Sequence, residues 1–237
     1  MTSLSYSHIG EEKYVLDVGC GVGVTPCYIA SRHGCRVVGV DINEEMIERS
    51  RERAKRENLT DLVEFRVADA QDLPFNDDLF DVVIAESVTA FPDDKQKAVM
   101  EYARVTKPGG YVGLNEGTWL KIPPPPEKVA WAGQDLGANV KPLTSAEWVG
   151  LLEVASLSDV VVNTYEINTK EEAKGILGRN GRGGIIRIVK RMLALYVRNP
   201  AYRRFVKDVG RVGSRPRTSM SISGTEYTSG RSKGGRD

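Results

Sequence analysis

The sequence is poor in cysteine and carries almost no net charge. Its three cysteines, Cys20, Cys27 and Cys35, are odd in number, and none stands in CxxC spacing. That argues against a disulfide framework or a zinc knuckle, and no metal site is expected. Buried, inert thiols in a reducing cytoplasm are the expectation instead. The 33 Lys and Arg oppose 32 Asp and Glu, for a formal charge of +1. The chain as a whole therefore exerts no pull on nucleic acid or on an anionic membrane. No apolar run approaches the ~18 residues of a membrane span, and no signal-peptide core is visible at the N-terminus. Apolar residues make up 41% and charged residues 27% of the 237 positions. This is the composition of a soluble globular chain, with room for one domain of about 150–200 residues plus appendages.

One stretch stands out from this plain background. Val15-Leu16-Asp17-Val18 is an apolar strand that runs into three alternate glycines, Gly19, Gly21 and Gly23, and a helix-like stretch from Thr25 to His33 follows. A strand that ends in glycines at a helix start lets a ligand approach the backbone closely. Strand and helix signals then alternate. Arg36–Val40, Val63–Val67, Asp81–Ala85 and Tyr111–Asn115 read as strands. Glu44–Glu57, capped by Asn43, and Lys95–Thr106, stopped by Lys107-Pro108-Gly109-Gly110, read as helices. Such alternation implies right-handed crossovers and a parallel sheet.

After the four prolines at 123–126 the pattern changes. Ser145–Ala155 reads as a helix with Ser145 as its cap, and Asp159–Tyr165 as a β-branched strand. The expected organisation is a short segment 1–13, a domain 14–177 with late substrate-side insertions, a basic loop and amphipathic helix at 178–209, and a disordered tail at 210–237 rich in Gly, Ser, Arg and Thr.

The spacing of the glycines departs from the dinucleotide fingerprint, because position 24 is Val and an acid, Asp17, stands two residues before the first glycine. A carboxylate there disfavours a pyrophosphate and suits a ligand that carries an ammonium group. Asp41 ends the second strand, where a carboxylate accepts from ribose hydroxyls, and Ile42 beside it can pack on a base. Asp69 and Ala70 follow the third strand, placed to meet an adenine amino group and its ring nitrogens. Glu86 ends the fourth.

At these residues the sequence resembles the class I S-adenosylmethionine-dependent methyltransferases, in particular the small-molecule group compared with quinone-biosynthesis methyltransferases. The matching stretches are VLDVGCGVG (15–23), VVGVDINEEMI (37–47), VEFRVADAQDLPFNDDLFDVVIAES (63–87) and RVTKPGGYVGLNE (104–116). The resemblance implies an α/β, Rossmann-like, doubly wound and mostly parallel seven-stranded sheet with helices on both faces, its last strand put at risk by the unusual tail. It implies S-adenosylmethionine as cofactor. Asp17 with Gly19, Cys20, Gly21 and Gly23 would face the methionine part, Asp41 and Ile42 the ribose and base, Asp69 and Ala70 the adenine, and Glu86 the sulfonium. Such families carry one or two helices ahead of the glycine strand, where this sequence has thirteen residues. The expectation is a late start and a loosely held cofactor.

Methyl transfer is an in-line displacement that depends mainly on proximity, alignment and exclusion of water. A base is needed only for a poor nucleophile, and Glu86 and Glu116 are the candidates, with His8 behind them. The acceptor is expected to be a small molecule, with Trp119, Trp131 and the helix at 185–197 on its side of the site. Two alternatives stay open: an RNA or protein methyltransferase, motivated by the basic C-terminal third, and a binding module without turnover. A shortened sheet edge could also promote a homodimer.

Overall fold

The computed structural model describes residues 9–119, 143–166 and 222–231. The chain divides into two compact units, Met1–Tyr165 with Ser223–Asp237, and Glu166–Ile222. All but Glu166 and Ile222 of the described residues belong to the first. The elements are β1 (Tyr14–Val18), α1 (Val24–His33), β2 (Arg36–Asp41), α2 (Glu44–Arg56), β3 (Val63–Val67), β4 (Phe80–Glu86), α3 (Lys95–Val105), β5 (Thr106–Trp119), β6 (Leu143–Thr144), α4 (Ser145–Val154), β7 (Leu157–Glu166) and β8 (Ile222–Arg231). No helix among the described residues is long and apolar enough to cross a membrane.

The strands lie in the order β3-β2-β1-β4-β5-β8-β7, with β6 paired to the end of β5. β1 runs parallel to β2 and β4, β2 to β3, and β4 to β5. The chain steps outward from β1 to β3 and then returns to the other side of β1. That reversal makes a doubly wound sheet with a crevice outside the carboxyl ends of β1 and β4. Side chains alternate across the sheet. Leu16, Val18, Val38, Val83 and Val112 pack with Ala98, Val99 and Tyr102 of α3 and Trp148 and Leu152 of α4. Val15, Val37, Val82 and Ile84 pack with Cys27, Ile29 and Ala30 of α1 and Ile47 and Ala54 of α2. Both faces are covered, which is why these strands read as nearly unbroken apolar runs.

The local chemistry follows the sequence in some places and departs from it in others. Asn43 caps α2 as expected, its Oδ1 accepting from Glu45 N at 2.9 Å and Met46 N at 3.4 Å. For α4 the cap is Thr144, not Ser145: Glu147 N donates to Thr144 Oγ1 and Glu147 Oε2 accepts from Thr144 N in a reciprocal capping box. Lys107-Pro108-Gly109-Gly110 does end the helix, but it belongs to a bulged start of β5. Phe80 pairs with Thr106 and Val82 with Tyr111. Gly109 takes φ 78°, and a Cβ on Gly110 would lie 2.7 Å from the Asp81 carbonyl oxygen. Glycine lets the irregular chain pass there. Within the tail expected to be disordered at 210–237, whose other residues lie outside the described ones, Ile222–Arg231 is a strand between β5 and β7. Its sequence carries little apolar pattern; what a strand there satisfies is backbone hydrogen bonding between two neighbours.

Arg104 on α3 ties the long β3–β4 connection to the core. Its guanidinium donates to both carboxylate oxygens of Glu101 at 2.7 Å, to Asp77 Oδ1 at 2.7 Å, and to the carbonyl oxygens of Phe75 at 2.8 Å and Leu73 at 3.0 Å. Arg104→Ala is expected to lower the free energy of unfolding by ~2 kcal/mol. A urea titration checks this through a lower midpoint at an unchanged slope.

Candidate functional site

The turn after β1 is built so that two of its glycines are demanded from inside and one from outside. Gly19, Gly21 and Gly23 have φ of 72°, 53° and 72°. Gly19 N and Cys20 N donate to the Val40 carbonyl at 2.8 and 2.9 Å, which anchors the turn on the end of β2. A Cβ on Gly19 would sit 2.4 Å from Val88 Cγ2, and one on Gly23 2.8 Å from Phe65 and Ser50. A Cβ on Gly21 would meet nothing within 4 Å. The open space at this turn therefore lies over Gly21. From α2, Arg53 Nε donates to the Val22 carbonyl at 2.9 Å and holds the turn in place.

Three carboxylates gather at this point. Asp17 of β1 is 3% exposed, and no hydrogen bond reaches its carboxylate among the described residues. Burial raises its pKa well above the ordinary carboxylate value, and the neighbouring charges of Glu86 and Asp41 raise it further. Asp41 is already engaged at both oxygens, accepting from Gly21 N and from Asn43 N, each at 2.9 Å. Half-buried Glu86 accepts from Thr25 Oγ1 at 3.0 Å, so the end of β4 is tied to the start of α1. A buried anion without a partner is costly. A cationic group beside Asp17 would offset that cost.

The remaining expected residues have contacts of their own. Ile42 is 71% exposed, free to cover a flat ligand. Asp69 accepts from Gln71 N at 2.9 Å and Gln71 Nε2 at 3.2 Å. Gln71 Oε1 in turn accepts from Asp94 N, the cap residue of α3, at 3.0 Å. Ala70 lies between them, half-buried. The three cysteines are free and buried, and burial pushes the thiol of Cys27 up to about 11 and those of Cys20 and Cys35 upward. Glu116 is 2% exposed, and its Oε1 accepts from Val88 N at 2.9 Å and Thr89 N at 2.6 Å. Burial pushes this carboxyl up to about 7 against the pull of those amides. It is a buried brace and not an acid set at the surface of the crevice. His8, the four prolines, Trp131 and the helix expected at 185–197 lie outside the described residues, as does the side chain of Trp119. Thr25, Arg53 and Val88 escaped the sequence reading. Each acts on the turn from an element distant in sequence or through a contact that no motif spacing encodes.

Comparison with known proteins gives this geometry a context. A family model described as "Methyltransferase domain" matches residues 16–114. An uncharacterised protein of Haemophilus influenzae is 30% identical over 190 residues, 76% of this chain and 72% of that protein. The 27-O-demethylrifamycin SV methyltransferase of Amycolatopsis mediterranei is 39% identical over 112 residues, 47% of this chain and 40% of that enzyme, so the chain spans well under two thirds of it. A solved structure of geranyl diphosphate methyltransferase in complex with SAM shares the fold, with a TM-score of 0.66 and 18% identity, covering 96% of this chain and 81% of that one.

Asp17 makes a testable demand on stability. Its folded-state pKa lies above the unfolded value, so the native state retains a proton that the unfolded chain has lost, and stability falls as pH rises beyond the ordinary carboxylate range. Asp17→Asn cannot ionise. The ligand-free variant is expected to melt above the wild type at pH 8 and to lose part of the decline between pH 5 and pH 8 in scanning calorimetry.

Proposed function

The chain belongs to the class I S-adenosylmethionine-dependent methyltransferases, and we propose that it binds S-adenosylmethionine over Gly21 and passes its methyl group to a small-molecule acceptor. The observation that carries this reading is Asp17, a buried carboxylate with no hydrogen-bond partner among the described residues, beside the one turn glycine whose outer side is open. The donor set fits the cofactor. Asp17 supplies the counter-charge for an ammonium group. Asp41 keeps spare lone pairs for ribose hydroxyls after serving Gly21 and Asn43. Asp69 and the Ala70 backbone suit an adenine edge, and exposed Ile42 suits its face.

S-adenosylmethionine, when bound, supplies an electrophilic sulfonium methyl. What the chain adds is placement. The glycine turn is pinned to β2, and Thr25 fixes the Glu86 carboxylate at the end of β4, so residues on both sides of the crevice between β1 and β4 would hold the cofactor in place. Alignment and exclusion of water carry the rate, and no general base is assigned. A small acceptor is supported by the balanced charge of the chain, which offers no broad field for nucleic acid, and by the rifamycin substrate in the name of one relative. Free, buried cysteines accord with a reducing cytoplasm.

Calorimetric titration with S-adenosylmethionine tests the reading. The wild type is expected to bind, and Asp17→Asn to bind about 10–100-fold more weakly, the loss of a charge-assisted contact. Gly21→Ala is expected to keep the fold and lose binding. Incubation with a panel of thiols, phenols and amines should yield S-adenosylhomocysteine. A wild type that neither binds the cofactor nor forms that product overturns the reading.

A further inference from the structure

Glu116 was a candidate base in the sequence, yet the structure buries it at the carboxyl end of β5 with its Oε1 shared between two backbone amides. The grip is wider than one side chain. Ser87 N donates to the Asn115 carbonyl at 2.8 Å, so residues 115 and 116 hold three consecutive amides, those of Ser87, Val88 and Thr89. Ser87 takes φ 55°, an uncommon conformation for a residue with a Cβ, which needs such outside support. The Thr89 hydroxyl and the Tyr102 phenol of α3, both fully buried, stand around the Glu116 carboxyl.

The segment held in this way reaches the glycine turn at both ends. At one end the Val88 side chain fills the space over Gly19, where an added Cβ would lie 2.4 Å from Val88 Cγ2. At the other end Glu86, two residues before Val88, holds the Thr25 hydroxyl at the start of α1. The turn thus rests on a loop whose position is set by β5.

We propose that Glu116 is a positioning residue that fixes the Gly19–Gly23 turn through Val88, and does not itself touch the reacting molecules. Removing the carboxyl leaves the buried Thr89 amide and the part-buried Val88 amide without an acceptor, so the loop opens and the support under Gly19 goes with it. A glutamine at 116 keeps an oxygen where Oε1 stands and is expected to restore the support. The coupling is a property of the free protein. Its meaning for catalysis rests on the reading of the turn as the cofactor's seat.

Hydrogen–deuterium exchange of the full, ligand-free chain tests it, with peptides covering 15–25 and 86–90 and a control peptide covering 60–68. Glu116→Ala is expected to speed exchange about tenfold or more in both 15–25 and 86–90 and to leave 60–68 unchanged, while Glu116→Gln stays near the wild type. Val88→Ala should speed exchange in 15–25 and keep 86–90 protected. The double variant should add little at the turn to the larger single effect. The proposal is overturned if Glu116→Ala opens 86–90 and leaves 15–25 at the wild-type rate, or if Glu116→Gln behaves like Glu116→Ala. If Glu116→Ala does not fold, Val88→Ala decides: unchanged exchange at 15–25 overturns the coupling. Calorimetry with S-adenosylmethionine separates this from the functional reading. A wild type that fails to bind sinks that reading and leaves the exchange result standing. A wild type that binds, with Glu116→Ala or Val88→Ala binding equally well, sinks the positioning role alone.

Discussion

The structure depends on the cost of keeping a carboxylate in the dry end of a parallel sheet. Asp17 sits on β1, an inner strand between β2 and β4, where both faces are packed and no protein hydrogen bond reaches its oxygens among the described residues. Two further acids, Asp41 and Glu86, raise that cost. The fold tolerates it because the surrounding strands and helices bury enough apolar surface to carry one strained point. Functional sites commonly draw on stability in this way, and the position of the strain coincides with the crevice that the sheet order creates.

Much of this was legible in the sequence because the decisive signals are local. Strands β1, β2 and β4 are apolar on both faces, and the Asn43 cap and the alternate glycines follow from backbone conformation. Asp17, Asp41 and Glu86 stand at the ends of β1, β2 and β4, so the parallel order alone brings them to one end of the sheet. What sequence did not disclose depends on contacts across long separations. Glu116 and the amides of Val88 and Thr89 are 28 and 27 residues apart, and nothing in the composition of either stretch marks the pair. Thr25 reads as an ordinary helix-start residue until Glu86 is seen beside it. Lys107-Pro108-Gly109-Gly110 carries a true stop signal for the helix, but the same glycines permit a bulged strand, and only the close Asp81 carbonyl shows which use is made of them.

The turn itself is supported from three sides, and the supports differ in kind. β2 gives backbone hydrogen bonds through the Val40 carbonyl, α2 gives the Arg53 guanidinium, and the loop after β4 gives the packing of Val88 on Gly19. Directional bonds fix the orientation of the turn, while packing fixes its distance from the neighbouring strand end. The division explains why Gly19 and Gly23 face the protein while Gly21 can face a ligand.

The place of β8 has a bearing on how the protein is made. β7 lies in the sheet beyond β8, yet β8 follows it in the chain after the whole segment 167–221. A ribosome delivers β7 long before the strand that links it to β5 exists. During synthesis β7 must wait without a strand partner, so the centre of the sheet closes early and this flank closes late. Every strand that borders the crevice between β1 and β4 precedes that segment in the chain, which separates the assembly of the crevice from the completion of the sheet.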